Sequence, residues 1–184
     1  MQGTSGVQIV SSGPDDDKES IKKAMVRMIL SAKKSVIIES PYFVPDESFM
    51  EAIRIAVASK VEVNLILPRI ADHKSVYYCS LSYLRELALI GVNIYLKRGF
   101  LHSKCVIIDG EVATVGTCNT DIRSFQLNFE VNAVIYDKAI CTSLCEIYEN
   151  DRFNSIIADK AWFNNLPMRV KFLKSFWRLF SAIM

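Results

Sequence analysis

The strongest constraint on the fold is the alternation of helical and β-rich segments between residues 19 and 97. Apolar residues recur at helical spacing in three segments, and each segment is followed by a short β-rich run. The pairs of helix and strand are 19–32 with 35–39, 47–59 with 61–67, and 72–90 with 92–97. Strands joined through helices of this length require crossover connections, which place the helices over the faces of a sheet. The sequence therefore predicts an α/β fold with a mixed, largely parallel β-sheet flanked by helices on both faces.

The pattern changes after Gly99, where β-rich runs follow one another without an intervening helix. Two of these runs are separated by Gly110 and Glu111, which is typical of a hairpin with a tight turn. The remaining predicted elements are strands at 7–10, 101–109, 112–115 and 128–136 and a helix at 138–153.

The composition fits one main domain that works without a cofactor. The 184 residues, 51% of them hydrophobic, are enough to bury a core, and the net charge of +2 is too balanced for a general nucleic-acid binder. Five cysteines without a Cys-x-x-Cys pair predict neither a disulfide framework nor a zinc knuckle, and they favour a reducing cytoplasm. The only histidines, His73 and His102, are too few for a His-rich metal site.

No apolar run reaches the roughly 18–20 residues that cross a bilayer, so we expect a soluble or peripheral chain.

One constellation in the hairpin region carries the candidate chemistry. Its fixed points follow the spacing His-x-Lys-x4-Asp-x6-Gly-x2-Asn, and they are His102, Lys104, Asp109, Gly116 and Asn119. At ordinary residue frequencies, such a match arises by chance on the order of 10⁻⁵ times in a chain of this size. We therefore treat the five residues as one site.

His102 and Lys104 are the predicted nucleophile and phosphate ligand. Alternate side chains of a strand share a face, so a phosphodiester is expected to lie against both the imidazole and the ammonium. Lys104 would hold nonbridging oxygens and offset the charge that builds up in the transition state, which leaves His102 free to attack phosphorus. Asn119 and Thr117, from the loop after the hairpin, are expected to add an amide donor and a hydroxyl.

Asp109 and Gly116 are predicted to support the site. Asp109 lies seven residues from His102, and this odd separation points its side chain to the other face of an unbroken strand. Gly116 indicates either a close backbone approach or a positive φ where the second strand ends. The alternative for the whole pattern is a core histidine beside a lysine on an edge strand, with the glycine and asparagine only making a turn.

The segment from His102 to Asn119 resembles the HKD motif of the phospholipase D superfamily. The flanking sequence resembles the second half of bacterial cardiolipin synthases in the same order, through SSGPD (11–15), ESPYFVPD (39–46), VEVNLILP (61–68), GVNIYLKRGFLHSK (91–104) and DIRSFQLNFE (121–130). The resemblance covers nearly the whole chain. Thr117 stands where the superfamily more often has serine, a change that keeps the hydroxyl.

The resemblance implies a metal-free phosphatidyl transfer through a covalent phosphohistidine. One motif histidine attacks the phosphodiester, a second motif histidine protonates the leaving alcohol, and another alcohol then attacks. For a cardiolipin synthase both substrates are phosphatidylglycerol, and the products are cardiolipin and glycerol. The resemblance also implies that Glu130 orients His102, with a solvated strand carboxylate as the alternative.

The chain holds only one such motif, because His73 lacks the spaced lysine, aspartate and asparagine. The second motif is then supplied by another domain of the same parent chain or by the partner in a homodimer, or it is absent. The resemblance implies the first arrangement, with this chain as the C-terminal half of an enzyme at the cytoplasmic face of the cell membrane. The open alternatives are a homodimeric single-motif phosphodiesterase or nuclease and a catalytically silent lipid-binding fragment. The balanced charge disfavours a nucleic-acid partner.

Two further segments are candidate lipid contacts. Tyr42 and Phe43 follow a predicted strand, so they either line a lipid–glycerol pocket or plug a strand-to-helix corner. The chain is predicted to divide into a catalytic domain at 1–160 and a basic, aromatic helix at 161–184. That helix either lies in the interface of an anionic phospholipid membrane or packs its aromatic side chains on the domain.

Overall fold

The computed structural model describes residues 3–15, 18–70 and 72–181. Its helices are α1 Ser20–Ser31, α2 Glu47–Ala58, α3 Lys74–Ile90, α4 Ile122–Gln126, α5 Lys138–Phe153, α6 Lys160–Asn164 and α7 Met168–Arg178. Its strands are β1 Val7–Ser12, β2 Ser35–Glu39, β3 Phe43–Val44, β4 Glu62–Pro68, β5 Asn93–Lys97, β6 Cys105–Ile108, β7 Val112–Gly116, β8 Thr120–Asp121, β9 Glu130–Ile135 and β10 Ser155–Ile157.

Eight strands form one sheet in the order β1-β9-β7-β6-β2-β4-β5-β10, and β3 pairs with β8 in a small second sheet. The strands β2, β4 and β5 are joined through α2 and α3 and pair in parallel, as such crossover connections require. The flanking pairs are antiparallel, as in the β6–β7 hairpin. Because β1 and β7 run in the same direction as the central three, most strands of the large sheet share one direction. The predicted mixed α/β class is confirmed.

The central strands of the large sheet are buried on both sides because helices cover both of its faces. Val36 and Ile38 of β2 pack with α1, α2 and α3 in the larger core, whereas Ile37 faces the smaller core beneath α5. In β4, Leu65 and Ile66 alternate between the same two cores. This two-sided burial explains why these strands read as continuous apolar runs in the sequence.

Local signals set the ends of the helices. Asp46 begins α2 by accepting a hydrogen bond from the backbone N–H of Phe49, and Asp137 begins α5 in the same way. α3 ends at Gly91, whose φ of 107° is a left-handed conformation that glycine adopts without strain. Capping chemistry therefore accounts for these three helix ends.

One predicted strand is shorter than expected. The sequence predicts a strand at 101–109, but β6 begins at Cys105. Its partner β7 ends at Gly116, whose N–H donates to the Lys104 carbonyl oxygen at 3.3 Å. Because β7 offers no further backbone groups, the residues before Lys104 lie ahead of the hydrogen-bonded ladder.

The C-terminal tail forms α6 and α7 rather than one helix, with Pro167 at the start of α7. Val170 and Trp177 of α7 pack against the larger core, whereas Phe172 and Leu179 are exposed. Residues 182–184 of the predicted tail helix lie outside the described residues. One face of α7 thus packs on the domain and another faces solvent.

Candidate active site

His102 and Lys104 lie at the edge of the sheet where β2 ends. Because β6 is antiparallel to β2, the start of β6 lies beside the carboxyl end of β2, the edge where ligands bind in α/β sheets. His102 is exposed, and its ring stacks on Phe100 with a centroid distance of 5.7 Å. Lys104 is half-buried, and its Nζ donates a 2.9 Å hydrogen bond to the His102 carbonyl oxygen. The structure therefore brings the two motif residues together.

Three carboxylates lie within electrostatic range of Lys104, and they belong to Glu130, Asp121 and Asp72. Burial lowers the pKa of Lys104, and these carboxylates offset only part of that effect. A partly desolvated ammonium interacts more strongly with a phosphate than a hydrated one does, because the effective dielectric constant around it is lower. Lys104 is therefore well placed to hold phosphoryl oxygens.

Asn119 and Thr117 lie on the loop after β7, and both are bound within the protein. Asn119 Nδ2 donates to Ser124 Oγ at 3.2 Å, its amide also hydrogen-bonds to Asp121, and its Oδ1 is buried without a partner among the described residues. Thr117 Oγ1 accepts a hydrogen bond from the Val131 N–H at 3.0 Å. In this arrangement the Asn119 amide nitrogen is engaged within the protein and Oδ1 is shielded from solvent, whereas the Thr117 hydroxyl ties the loop to β9.

Gly116 lets β7 and β9 approach closely. A Cβ at this position would lie 2.3 Å from both Asn132 Oδ1 and the Val131 carbonyl oxygen. Its φ is not positive, so the close approach is the reason for glycine here. Asn132 is buried, and its Oδ1 accepts a hydrogen bond from the Cys118 N–H at 3.3 Å. This contact fixes the start of the loop that carries Asn119.

Asp109 lies at the far end of β6 from His102. Its carboxylate accepts hydrogen bonds from the backbone N–H groups of Lys33, Lys34 and Ser35 at 2.9, 2.7 and 2.8 Å. Burial alone would raise the pKa of Asp109, but these hydrogen bonds outweigh it and lower the pKa below its usual value. Asp109 therefore fixes the β6–β7 turn against the start of β2. These contacts are those of a structural support, which is the role that the odd spacing indicates.

Tyr42 and Phe43 have different environments. Phe43 is fully buried in the larger core, edge-on to Tyr83 with ring centroids 6.5 Å apart, so the predicted substrate contact is wrong for this residue. Tyr42 is half-buried, and its hydroxyl donates to the Asp72 carboxylate, with both oxygens 2.8 Å away. Burial and this carboxylate raise the pKa of Tyr42. Its ring lies 6.0 Å from that of His73.

The Tyr42–Asp72 pair stands between two cavities. The smaller cavity, of about 260 Å³, is lined by His102 and Asp72 together with the apolar side chains of Pro41, Pro68, Ile70, Phe100 and Leu101. The larger cavity, of about 490 Å³, has walls of mixed polar and apolar character that include Tyr42, His73, Val76, Asn119, Asp121 and Arg123. The edge of the sheet thus offers a mainly apolar compartment and one of mixed character.

Glu130 is half-buried at the start of β9. Its Oε1 accepts a hydrogen bond from Asn128 Nδ2 at 3.1 Å. Its negative charge favours the protonated form of Lys104 and so raises the pKa of that ammonium. Over the described residues, no hydrogen bond joins Glu130 to His102. The implied orientation of His102 by Glu130 is therefore a proposal that rests on their shared edge.

A buried polar cluster lies next to the motif at the end of β2. Glu39, at the end of β2, is 4% exposed and accepts a hydrogen bond from the Ser103 hydroxyl. Burial raises the pKa of Glu39, and the nearby Lys97 is paired with Asp151 at 2.7 Å. Ser103, the residue between His102 and Lys104, is thereby tied to the buried end of β2.

Three residues of this edge were not predicted from the sequence, and they are Asp72, Asp121 and Arg123. The contact between Asp72 and Tyr42 joins residues 30 positions apart and depends on where β2 and β4 end. No local sequence pattern therefore predicts it. Asp121 accepts a hydrogen bond from the Ser124 N–H at 2.6 Å and begins α4. Its only signal is an N-cap residue before a helix of five residues, which is too short to show periodicity.

Over the described ranges, no group of three His, Cys, Asp or Glu side chains is arranged to hold a metal ion. The five cysteines are free thiols, and burial raises the pKa of Cys105 and of Cys118 within the motif. None of the helices in these ranges is both long and apolar enough to span a bilayer.

Comparison with known proteins decides the family. The family described as "Cardiolipin synthase, PLD-like domain" matches residues 25–152. The chain belongs to this family. Cardiolipin synthase 2 of Staphylococcus epidermidis is 47% identical over 183 residues, which cover 99% of this chain and 38% of that protein. The major cardiolipin synthase ClsA of Bacillus subtilis is 42% identical over 184 residues, which cover 100% of this chain and 38% of that protein. This member of the cardiolipin synthase family thus spans about 38% of the length of these relatives.

Solved structures of phospholipase D-like proteins share the fold of this cardiolipin synthase-family chain. Nuc from Salmonella typhimurium, a phospholipase D family member, matches with a TM-score of 0.74 and 20% identity over 84% of this chain and 99% of that one. Phosphatidylserine synthase from Haemophilus influenzae matches with a TM-score of 0.79 and 18% identity over 100% of this chain and 49% of that one. The fold therefore occurs both as almost a whole chain and as about half of one.

Proposed function

We propose that the chain is one catalytic half of a phospholipase D-type phosphatidyltransferase, which makes cardiolipin from two molecules of phosphatidylglycerol and releases glycerol. The observation that carries this proposal is the pairing of a partly desolvated Lys104 with an exposed His102 that lines the smaller cavity. The relatives named cardiolipin synthase, at 47% and 42% identity, support the choice of substrates.

In the proposed first step, a ring nitrogen of His102 attacks phosphorus of phosphatidylglycerol. A nitrogen–phosphorus bond forms, the bond to the glycerol headgroup oxygen breaks, and glycerol leaves after taking a proton from the second motif histidine. In the second step, a headgroup hydroxyl of another phosphatidylglycerol attacks phosphorus, loses its proton to that second histidine and releases His102. Lys104 offsets the extra negative charge of both transition states.

The second motif is proposed to come from a domain that covers the His102 edge, either in the same parent chain or in a second copy. Exposed apolar side chains flank this edge, and those of Ile70, Phe100, Leu127 and Phe129 are 84%, 84%, 62% and 76% exposed. Side chains of this size are usually buried, so a cluster of them at one edge favours a covering partner. The match of this chain to 49% of the Haemophilus influenzae structure is consistent with such a pair of halves.

The nuclease alternative is less well supported by the site. A nuclease needs a broad basic groove for a polyanion. The charged groups that act on Lys104 are the carboxylates of Glu130, Asp121 and Asp72. These acidic groups would repel the phosphates that flank a scissile bond in DNA or RNA, whereas a lipid brings only one phosphodiester.

The outer face of α7 is proposed to contact anionic phospholipids. These lipids would lie in the cytoplasmic face of the cell membrane. The inner face is anchored on α3, where Ser82 Oγ donates to the Lys174 carbonyl oxygen at 2.8 Å and the Arg178 guanidinium lies 3.2 Å from the Tyr83 ring centroid. The outer face carries Phe172, 69% exposed. From residue 160 to 184 the sequence has five basic residues and no acidic ones, which suits an anionic surface.

Vesicle sedimentation tests the membrane contact. Phe172→Ser combined with Leu179→Ser is expected to weaken binding to anionic vesicles at least about tenfold, because two exposed apolar side chains leave the interface. Phe153→Ser, which replaces an 89% exposed aromatic on α5, is the matched control and is expected to bind like the unchanged chain. Equal binding by the double variant would refute the contact.

Product analysis tests the reaction. The chain is incubated with phosphatidylglycerol vesicles, alone and together with the remaining portion of a full-length relative, and lipids are resolved by mass spectrometry. We expect cardiolipin only when His102 is intact, with His73→Ala as the control that keeps activity in the same setting. Cardiolipin formed by His102→Ala protein, or its absence in every combination of folded proteins, would contradict the proposal.

A further inference from the structure

A further cavity lies beneath α1, at the end of the large sheet away from His102. Its volume is about 370 Å³, and it shares no lining residue with the two cavities at the His102 edge. Its position follows from the strand directions, because β6 begins near His102 and ends at Ile108, which pairs with Val36 near the start of β2. A molecule in this cavity would therefore be separated from the candidate active site by about the length of β6.

The cavity exists because α1 is narrower than the part of the sheet that it covers. Helices α2 and α3 pack on the central strands β4 and β5, whereas α1 packs on β1, β6 and β9. The neighbouring strands β1, β9, β7 and β6 span roughly 14 Å, at about 4.8 Å between neighbours. A helix with its side chains is only about 10–12 Å wide. A groove is therefore left beside α1, and the strands form its floor.

The floor of the cavity is apolar. Each of the four strands contributes one aliphatic side chain, and these belong to Val10, Ile108, Val112 and Val134. Met28 adds a further apolar side chain from α1. Ile108 and Val134 are buried, whereas Val10, Val112 and Met28 are only half-buried. Apolar surface that remains in contact with water favours a ligand that covers it, so the floor is suited to a hydrocarbon chain.

One cation stands at the rim of the cavity. Over the described residues, Arg27 is the only charged residue that lines it, and its side chain is exposed. The described part of the chain gives Arg27 neither an ion pair nor a hydrogen bond. Lys23, one helical turn earlier, lines a shallow groove that adjoins the cavity at Arg27 and adds to the positive potential. Two other rim residues, Tyr136 and Gln8, hydrogen-bond to each other at 3.2 Å. The rim therefore favours one negatively charged group.

The volume sets the size of the ligand. About 370 Å³ corresponds to roughly a dozen water molecules, at about 30 Å³ each. Because a methylene group is similar in size to a water molecule, the cavity has room for one acyl chain of about a dozen carbons. It is too small for both chains of a phospholipid. The guanidinium of Arg27 can bind a carboxylate through two parallel hydrogen bonds, and the two groups have equal and opposite charges.

From this arrangement we infer that the cavity beneath α1 is a binding site for a long-chain fatty acid, with the acyl chain on the strand floor and the carboxylate on Arg27. A neutral or cationic amphiphile would leave Arg27 without a partner. The site is separate from the candidate active site and from the outer face of α7, so it goes beyond the proposed function and does not depend on it.

Methionine methyl groups report on these surfaces separately. Met28 lines the cavity, Met168 lies on α7 and is 78% exposed, and Met50 is buried in the larger core. NMR spectra of methyl-labelled protein are recorded with three probes that have the same twelve-carbon chain, at about the same concentration and below the onset of micelle formation. The probes are dodecanoate, dodecyl phosphate and dodecyltrimethylammonium.

We expect dodecanoate to shift Met28, to saturate at one equivalent and to leave Met168 and Met50 unmoved. Dodecanoate is expected to bind at least about tenfold more tightly than dodecyltrimethylammonium, because only the carboxylate forms charge-assisted hydrogen bonds with Arg27. Equal affinity for the cationic probe, or tighter binding of dodecyl phosphate, would contradict the carboxylate assignment. A shift confined to Met168 would place the binding on α7 and overturn the site.

Two variants separate the contributions of the headgroup and the chain. Arg27→Gln removes the charge at the rim and is expected to abolish the preference for dodecanoate, with Lys160→Gln at an exposed lysine of α6 as the matched control. Ala24→Phe fills the cavity from α1 and is expected to remove the response of Met28 to dodecanoate, while an unchanged Met50 signal shows that the variant is folded. A preference that survives Arg27→Gln, or a Met28 response that survives Ala24→Phe, would refute the fatty-acid site.

Discussion

Gly116→Ala is predicted to destabilise the protein strongly, although it adds a single methyl group. The new Cβ would lie 2.3 Å from Asn132 Oδ1 and from the Val131 carbonyl oxygen, far inside van der Waals contact. Neither atom can move freely. The Val131 carbonyl accepts the Thr117 N–H at 3.0 Å, and Asn132 is 1% exposed and also donates from Nδ2 to Thr114 Oγ1 at 3.0 Å.

The size of the effect follows from what must shift. Overpacking of this kind costs about 1–3 kcal/mol, and the strain on the buried Asn132 hydrogen bonds adds a cost of similar size. The lower entropy of an unfolded alanine offsets about 0.4–1 kcal/mol. We therefore expect Gly116→Ala to lower the free energy of unfolding by about 2–4 kcal/mol.

Urea denaturation of the two alanine variants Gly116→Ala and Gly6→Ala tests this reasoning. Gly6→Ala is the matched control, because its Cβ would meet only Tyr136 Cβ at 3.6 Å, an ordinary contact. The control is expected to change the free energy of unfolding by less than about 0.5 kcal/mol. A Gly116→Ala protein as stable as the control would refute the close approach of β7 and β9.

Two further predictions concern carboxylates whose pKa the fold shifts in opposite directions. Asp109→Ala is expected to lower the free energy of unfolding by about 2 kcal/mol at pH 7, because three backbone N–H groups lose their acceptor. Because folding lowers the pKa of Asp109, its carboxylate stabilises the fold fully above the unfolded pKa, and this stabilisation is lost as the pH falls through the folded pKa. The unchanged protein and the Asp109→Ala protein should therefore have similar free energies of unfolding in acid. Folding raises the pKa of Glu39, so the neutral carboxyl group contributes its full stabilisation below the unfolded pKa. This stabilisation is lost as the pH rises through the folded pKa. Glu39→Gln should therefore stabilise the protein more at pH 8 than at pH 4 in the same urea assay, and an effect that is independent of pH would contradict this account.

The sequence predicted the elements that carry a periodic pattern and missed those that are too short to have one. The helices α1, α2, α3 and α5 follow from apolar residues at helical spacing, and the central strands follow from their apolar runs. The two-residue strands β3 and β8 and the five-residue helix α4 form because the ends of longer elements bring their backbones together. Such short pairings are set by tertiary packing and leave no local signal.

The candidate site shows the same division. The spacing of the motif was sufficient to bring His102 and Lys104 to one edge, because that spacing is local to a single extended segment. Phe43 was misplaced because its full burial depends on α3, which lies about 40 residues further along the chain and supplies Tyr83. The larger cavity, built from three separate parts of the chain, could be recognised only in the structure.

The most direct test of the account is to trap the covalent intermediate on His102. A phosphatidyl ester of p-nitrophenol is the suitable substrate, because its leaving group departs without a general acid and the second motif is then not required. After a denaturing alkaline quench, peptide mass spectrometry is expected to find a phosphatidyl group on His102 in the unchanged chain and in His73→Ala protein, and none in His102→Ala protein. An adduct on His73, or no adduct on a folded chain that binds the substrate, would contradict the assignment of His102 as the nucleophile.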